Sequence, residues 1–158
     1  MQTLILYASK YGAAREIAER IAQKMGDAKT CDLNQDDIPG LNLFDCVIIG
    51  SSLRAGFVRK EAKVFLSHNA DKLRGKKLGL FLCGMDTDKN NEEKYFNTNF
   101  PPELLPAAKA KSHLGGIFDP QKAGAMECFI MKKILKQSGY VDRISDDRIS
   151  QFVEAMKA

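Results

Sequence analysis

Hydrophobic residues follow two spacings along this chain, and the way the spacings alternate predicts strands separated by helices. Runs of consecutive apolar residues, typical of strands buried in a parallel sheet, occur at 4–8, 44–50 and 78–84. After the first run, apolar residues recur at helical spacing up to Gly26, which predicts an amphipathic helix with the stripe Ala14, Ile17, Ala18, Ile21, Ala22 and Met25.

Weaker patterns complete the series. Residues 28–33 predict a second strand at a sheet edge, and residues 110–117 predict a fifth strand that ends at Gly115-Gly116. Further helices are predicted around Val58 to Leu66, over about 92–98, from Met126 to a stop at Ser138-Gly139, and after a Ser145 cap, where the buried stripe is Ile149, Phe152, Val153 and Met156. This alternation predicts an α/β doubly wound parallel sheet of five strands with helices on both faces.

Length and charge limit the classes of protein that fit. A chain of 158 residues predicts one domain spanning 1–158. No apolar run approaches the roughly 20 residues that cross a bilayer, and no secretory pattern opens the chain, so we expect a cytoplasmic protein without a transmembrane segment. The net charge of +4 comes from lysines and arginines interspersed with acids, which argues against nucleic acid as a partner.

The cysteines and histidines give no metal signature. The four cysteines are widely spaced, without a C-x-x-C pair, and only His68 and His113 could join them as ligands. We expect the cysteines to be core or near-core residues, and the histidines to be structural or surface residues without a catalytic part.

Three polar loops that contain glycine follow the first, third and fourth predicted strands, at 9–14, 51–57 and 84–91. The carboxyl ends of parallel strands share one edge of the sheet, and ligands bind there at the point where the strand order reverses. The three loops should therefore converge on one crevice.

The first loop is the candidate phosphate site. It leads from a strand into a helix N-terminus, where free N–H groups and the helix dipole favour an anion; Ser9 adds a hydroxyl and Gly12 permits close approach. An ordinary strand-to-helix turn is the alternative interpretation. The chain contains neither G-x-x-x-x-G-K-[ST] nor G-x-G-x-x-G, so the candidate ligand is a mononucleotide rather than a nucleoside triphosphate or a dinucleotide.

Taken together, these loops resemble those of the flavodoxin family, and the resemblance is closest to the branch that includes menaquinone-dependent protoporphyrinogen IX dehydrogenase. In that branch S/T-x-x-G-x-[ST] corresponds to Ser9-Lys10-Tyr11-Gly12-Ala13-Ala14, and G-[AS]-S-[IL]-R-x-G corresponds to residues 50–56. Gly115-Gly116 and residues 129–139 match later segments of the branch. The resemblance covers the whole chain and implies the strand order 2-1-3-4-5 and FMN as the cofactor.

Carried over by position, the resemblance implies three sets of FMN-binding residues, and it implies neither catalytic side chains nor a metal. The phosphate would contact Ser9, Tyr11, Gly12, Ala13 and Ala14. The flavin ring and ribityl chain would be flanked on one side by Ser51, Ser52, Leu53, Arg54, Ala55 and Gly56, and on the other by Gly84, Met85, Asp86 and Thr87.

Two departures from the branch bear on function. Ala14 stands where the family usually has Thr or Ser, and 85–109 is shorter and more acidic than the basic, aromatic insertion that the dehydrogenase carries there. Individual residues also have plainer interpretations: Arg54 as a surface arginine, Tyr11 and Phe57 as half-buried aromatics, and the Lys132, Lys133 and Lys136 cluster as a solvated helix face.

The resemblance implies a flavodoxin-like redox protein that transfers electrons through FMN, with a redox protein, a quinone or a small molecule as donor or acceptor. The alternative is an enzyme of the protoporphyrinogen IX dehydrogenase type, which passes electrons through FMN to a quinone. Electron-carrier flavodoxins are strongly acidic as a family, which a net charge of +4 does not match. A response-regulator receiver is excluded, because Ala8-Ser9 and Gly50-Ser51 stand where it needs carboxylates.

Overall fold

Five parallel strands form the centre of the molecule in the computed structural model, which describes residues 2–34, 37–135 and 139–158. The spatial order is β2-β1-β3-β5-β6, which confirms the predicted order of the five strands. The strands are β1 (Thr3–Ala8), β2 (Ala28–Asp32), β3 (Cys46–Arg54), β5 (Lys77–Cys83) and β6 (Ala108–His113). The short β4 (Phe57–Val58) pairs with the end of β3 in antiparallel fashion.

Helices cover both faces of this sheet, as predicted. On one face, α1 (Ala13–Met25) and α6 (Asp146–Lys157) pack against Ile5, Ile48 and Phe81. On the other, α2 (Lys60–Arg74), α3 (Lys89–Asn99) and α4 (Leu104–Ala107) pack against residues such as Leu4, Leu6 and Val47. All of β1 is buried, because a central parallel strand is covered on both sides.

The first and last helices agree with the sequence patterns. Ala14, Ile17, Ala18 and Ile21 are buried, and α1 ends at Gly26, whose φ of 93° suits glycine. Ser145 caps α6 by accepting a hydrogen bond from the Arg148 backbone N–H through its side chain, and the predicted stripe Ile149, Phe152, Val153 and Met156 is buried.

The segment 51–57 is not the loop that its hydroxyls and glycine predicted. β3 continues through Ser51 to Arg54 and turns back at Ala55 and Gly56, so that Arg54 pairs with Phe57. Both turn residues have positive φ, 52° and 85°, which is the geometry of a two-residue hairpin. Val58 therefore belongs to β4, and α2 begins only at Lys60.

The region between β6 and α6 also differs from the prediction. The fifth strand ends at His113, and Ile117 lies in a separate pair formed by β7 (Ile117–Phe118) and β8 (Val141–Asp142). Helix α5 (Ala125–Leu135) lies between them, and we call residues 116–144 the insertion. Met126, Phe129 and Ile130 of α5 are exposed. Their spacing therefore predicted the helix, but these residues do not pack in the core. The predicted stop at Ser138 lies outside the described residues.

Smaller differences concern the fourth strand and the next helix. The fourth strand is β5 and ends at Cys83, and α3 spans 89–99 rather than about 92–98. Within the described residues, no helix is long and apolar enough to cross a bilayer, and no cluster of three possible metal ligands occurs.

Candidate functional site

The carboxyl ends of β1, β3 and β5 bring the three predicted loops to one edge of the sheet. Ala8 pairs with Ser51, and Ser52 pairs with Cys83, so the segments that follow these strands start side by side. β1 is also where the strand order reverses, because β2 lies on one side of it and β3 on the other. Ligands of open α/β sheets bind at this position.

The loop from Ser9 to Gly12 is closed by its own hydrogen bond. The Gly12 N–H donates to Ser9 Oγ at 2.9 Å, and Gly12 has φ 98°, a conformation that side chains rarely adopt. Gly12 is the N-cap residue of α1, and no side chain caps this helix. The first turn therefore presents N–H groups and the positive end of the dipole at the crevice.

The other residues predicted for this loop differ in exposure. Ala13 is 8% exposed and Ala14 is fully buried, and neither has a polar side chain, so backbone groups are the polar atoms that either residue has for a ligand. Tyr11 is partly buried, which agrees with its plainer interpretation as a half-buried aromatic, and its hydroxyl donates to Glu127 Oε1 at 2.9 Å.

The β3–β4 hairpin carries the second set of predicted residues. Ser51 is buried, and its hydroxyl is used internally, because it accepts from the Arg59 N–H and donates to the Ser52 carbonyl, each at 2.9 Å. Ser52 and Leu53 are partly exposed, and Arg54, Ala55 and Gly56 form the tip. The prediction that Phe57 is half-buried is wrong, since 61% of the residue is exposed.

Two arginines donate hydrogen bonds to backbone carbonyls of the third set, Gly84 to Thr87. Arg143 Nη1 donates to the Met85 carbonyl at 2.8 Å, and Arg148 Nη2 donates to the Thr87 carbonyl at 3.3 Å. Gly116 also packs here, since a Cβ built on it would lie 2.7 Å from the Gly84 carbonyl oxygen. The backbone of this loop is therefore positioned from the insertion and from α6.

Asp86 is tied to α3. Its Oδ2 accepts from the Tyr95 hydroxyl at 2.5 Å and from Asn91 Nδ2 at 2.9 Å, and its Oδ1 accepts from the Asp88 N–H. The Tyr95 hydrogen bond is the main cause that lowers the pKa of Asp86, and the same bond raises the pKa of Tyr95 to about 12. The carboxylate is thus charged at neutral pH, and Tyr95 keeps its proton.

His113 lies next to this third loop, although it was expected to have no part in the site. It is only 2% exposed, and its Nδ1 accepts from the Gly115 N–H at 3.2 Å. The neutral ring therefore carries its proton on Nε2, which has no hydrogen-bond partner among the described residues. A Cβ built on Gly84 would lie 3.5 Å from this Nε2. Burial, reinforced by the Arg148 charge, lowers the pKa of His113 to about 4.

Glu127 of α5 links the first loop to the hairpin. Besides the Tyr11 hydroxyl, its Oε1 has Lys10 Nζ at 3.5 Å and Arg54 Nη2 at 3.7 Å. The Arg54 side chain is nonetheless 64% exposed. The insertion therefore lies over the crevice. The Glu127 carboxylate is its contact with the Lys10, Tyr11 and Arg54 side chains.

Sequence reasoning missed Glu127, Tyr95, Arg143 and Arg148 as parts of this region. None of them belongs to a motif. Glu127, Arg143 and Arg148 reach the crevice from elements distant in sequence, whereas Tyr95 lies in α3, nine residues after Asp86. The pair Gly115-Gly116 was the one available signal, because adjacent glycines indicate a close backbone approach.

Known proteins of similar structure include flavodoxins and flavoproteins. Flavodoxin 2 of Bacillus cereus shares 19% identity with a TM-score of 0.63, covering 99% of this chain and 98% of its own. The Megasphaera elsdenii flavodoxin, solved in its two-electron reduced form, shares 16% with a TM-score of 0.60, covering 99% and 100%. A Lactobacillus acidophilus flavoprotein solved in complex with FMN shares 18% with a TM-score of 0.54, covering 71% and 92%.

No curated protein matches the chain in sequence. At these identities the solved structures establish the fold alone. The family rests on the sequence itself, because residues 4–144 match the profile of the flavodoxin domain. The chain belongs to the flavodoxin domain family.

Proposed function

We propose that this chain binds FMN at the crevice and transfers electrons through it, and that residues 1–158 act as one such domain. The observation that carries the proposal is the N-terminus of α1. It begins after Gly12, no side chain caps it, and it lies where the strand order of the sheet reverses. Family membership and the Lactobacillus acidophilus flavoprotein solved with FMN support the same ligand.

The donors at this helix end fit a phosphate monoester. The Ser9 hydroxyl and the backbone N–H groups of Ala13 and Ala14 would hold the phosphate, with Tyr11 and Gly12 shaping the loop around it. On either side of the flavin ring and ribityl chain we place the hairpin, with Ser51, Ser52, Leu53, Arg54, Ala55 and Gly56, and the third loop, with Gly84, Met85, Asp86 and Thr87. FMN would supply the redox chemistry, while these residues orient it and set its potential.

The finer features of the function are also proposals. We propose a cytoplasmic protein whose partner is a redox protein, a quinone or a small electron donor or acceptor. The net charge of +4 favours a partner with an acidic surface, because opposite charges steer encounter.

The electron-transfer proposal is tested by reducing the FMN-loaded protein without oxygen and reoxidising it with ferricyanide. We expect complete reduction and rapid reoxidation while the flavin stays bound. Flavin that is released on reduction, or that ferricyanide cannot reoxidise in place, would contradict a role as an electron carrier.

Replacing Arg54 by Glu is expected to lower the potential for full reduction of the bound flavin. Reduction adds negative charge to a flavin ring, so a guanidinium beside it stabilises the reduced form. Arg54 is exposed, and its guanidinium also lies near the Glu127 carboxylate, which weakens its effect on the flavin. We therefore expect the reduction potential to fall by about 20 mV for a two-electron couple, or about 1 kcal/mol, and to fall further at low salt than at high salt.

The measurement is an anaerobic dye-equilibration titration of fully loaded protein. Lys72→Glu is the control, because Lys72 is exposed in the last turn of α2, near the start of β5 at the opposite edge of the sheet, and the substitution changes the net charge by the same two units. A potential that Arg54→Glu leaves unchanged would make Arg54 an ordinary surface residue.

A second candidate is an enzyme of the protoporphyrinogen IX dehydrogenase type that delivers electrons to a quinone. The exposed apolar side chains of α5 favour it, since Met126, Phe129 and Ile130 lie close to Lys132 and Lys133 on the insertion over the crevice. Such a surface suits an apolar, membrane-dissolved acceptor. Anaerobic turnover of protoporphyrinogen with a menaquinone analogue would support this candidate, and FMN-loaded protein without such turnover would exclude it.

A further inference from the structure

Glu127 provides a polar contact between α5 and the crevice. Residues 125–133 of α5 are all exposed or partly exposed, so this part of the helix does not pack in the core. The Glu127 side chain, in contrast, is only 25% exposed, because it reaches the first loop and the hairpin. The carboxylate therefore links the insertion to the proposed flavin site.

The carboxylate contacts two of the three segments that form the crevice. On the first loop, its Oε1 accepts from the Tyr11 hydroxyl at 2.9 Å and lies 3.5 Å from Lys10 Nζ. On the hairpin, the same oxygen lies 3.7 Å from Arg54 Nη2. Glu127 thus brings an ammonium group and a guanidinium group together at the crevice.

The hairpin backbone is fixed by other contacts. The Asn99 side chain of α3 donates to the Gly56 carbonyl and accepts from the Val58 N–H, each at 2.9 Å. Among the residues that the structure describes, Glu127 is the one acid within 4.0 Å of the Arg54 guanidinium. Glu127 therefore determines where the guanidinium lies, while α3 determines where the hairpin lies.

The charged groups of the third loop have partners of their own. Asp86 accepts hydrogen bonds from Tyr95 and Asn91. Arg143 and Arg148 donate to backbone carbonyls of the loop. These groups should stay in place when the insertion loses its carboxylate.

Charged residues also line the cavity of about 260 Å³ beside the first loop, namely Glu16, Arg20, Asp119, Lys122 and Asp142. In the described part of the chain, none of these carboxylates lies within 4.0 Å of the Lys10 ammonium or the Arg54 guanidinium. They do not replace Glu127 as the partner of either cation.

A guanidinium and a carboxylate beside a flavin act on its potential in opposite directions. Reduction adds negative charge to the ring, which a cation stabilises and an anion destabilises. The Glu127 carboxylate weakens the effect of Arg54, and solvent screens it less, since its side chain is 25% exposed and that of Arg54 is 64% exposed.

We propose that Glu127 is a positioning residue of the flavin site: it holds the Arg54 guanidinium, offsets part of its charge, and thereby lowers the reduction potential of the bound flavin. The inference rests on the proposed function. It gives the insertion a part in setting the potential, in addition to covering the crevice.

The test is an anaerobic dye-equilibration titration of FMN-loaded wild type, Glu127→Gln, Arg54→Gln and the double variant. Glutamine keeps an acceptor for the Tyr11 hydroxyl and removes the charge. We expect Glu127→Gln to favour the reduced flavin about fivefold, or about 20 mV for a two-electron couple. In the Arg54→Gln background the same substitution should have an effect of less than about twofold, because the group that it positions is gone.

Glu154→Gln is the matched control for charge. Glu154 is exposed near the end of α6, where Lys157 Nζ donates to the Lys24 carbonyl in the last turn of α1, away from the crevice. Its potential should equal that of the wild type. In flavin-free protein, nitrogen-15 NMR should show a more mobile Arg54 guanidinium in Glu127→Gln and an unchanged one in Glu154→Gln.

The outcomes separate this inference from the proposed function. A potential that Glu127→Gln leaves unchanged overturns the inference. An equal shift with and without Arg54 also overturns it, because the carboxylate would then act as a charge without positioning anything. Equal mobility of the guanidinium in wild type and Glu127→Gln has the same consequence, and this measurement needs no flavin. Wild type that does not bind FMN overturns the proposed function, and the inference with it.

Discussion

Gly12→Asp is expected to abolish most of the FMN affinity while leaving the fold intact. Gly12 is the N-cap residue of α1, and a Cβ built on it has room, with a single heavy atom, Lys122 Nζ, as near as 4.0 Å among the described residues. A carboxylate would cap the helix and repel the phosphate from the N–H groups it needs. We expect FMN to bind about 100-fold more weakly than to Gly12→Asn, or about 2.8 kcal/mol less favourably.

Gly12→Asn is the matched control, since asparagine has the same shape, also caps helices and also tolerates the positive φ of 98°. Riboflavin, which has no phosphate, should bind both variants within about threefold of each other on electrostatic grounds. Fluorescence titrations give the affinities, and urea unfolding confirms that both variants fold. Equal FMN affinities in the two variants would place the phosphate elsewhere.

His113 should make the protein lose stability as the pH falls from about 6.5 to about 4. Its pKa is lowered to about 4 in the folded state, chiefly by burial, with the Arg148 charge acting in the same direction and the Asp86 charge opposing it. Between these pH values the unfolded chain binds a proton that the folded protein excludes, so stability rises with pH. The full difference corresponds to about 3 kcal/mol at the acid end.

Urea unfolding of flavin-free protein across this range measures the effect. His113→Asn removes the titrating ring and keeps an acceptor for the Gly115 N–H, so its stability should depend less steeply on pH than that of the wild type. His68→Asn is the control, because His68 is exposed. Parallel pH dependences for the wild type and His113→Asn would show that His113 takes up a proton in the folded state.

The sequence predicted the sheet and its ligand-binding edge because local patterns encode them. Continuous apolar runs identified β1, β3 and β5, and helical spacing identified the buried faces of α1 and α6. The three crevice segments followed from the rule that parallel strands end at a common edge.

The differences arise where pairing in space overrides local residue preference. Ser51 to Arg54 carry hydroxyls and charge typical of a loop, yet they extend β3. Ser51 and Ser52 pair with the parallel neighbours of β3, and Leu53 and Arg54 pair with β4, which folds back on them. Glu127 reaches the crevice from the insertion and His113 from the end of β6, and no motif marks either residue. The apolar residues of α5 are exposed, so apolar spacing predicted this helix correctly but did not show whether its apolar face is buried.

The most direct test of the central claim is a titration of the flavin-free wild-type protein with FMN, FAD and riboflavin, followed by flavin fluorescence. We predict quenching by one equivalent of FMN with tighter binding than for either of the other two flavins, because the proposed phosphate site is the α1 N-terminus and FAD carries a dinucleotide for which this chain has no fingerprint. Absence of quenching by FMN at micromolar protein would contradict the account.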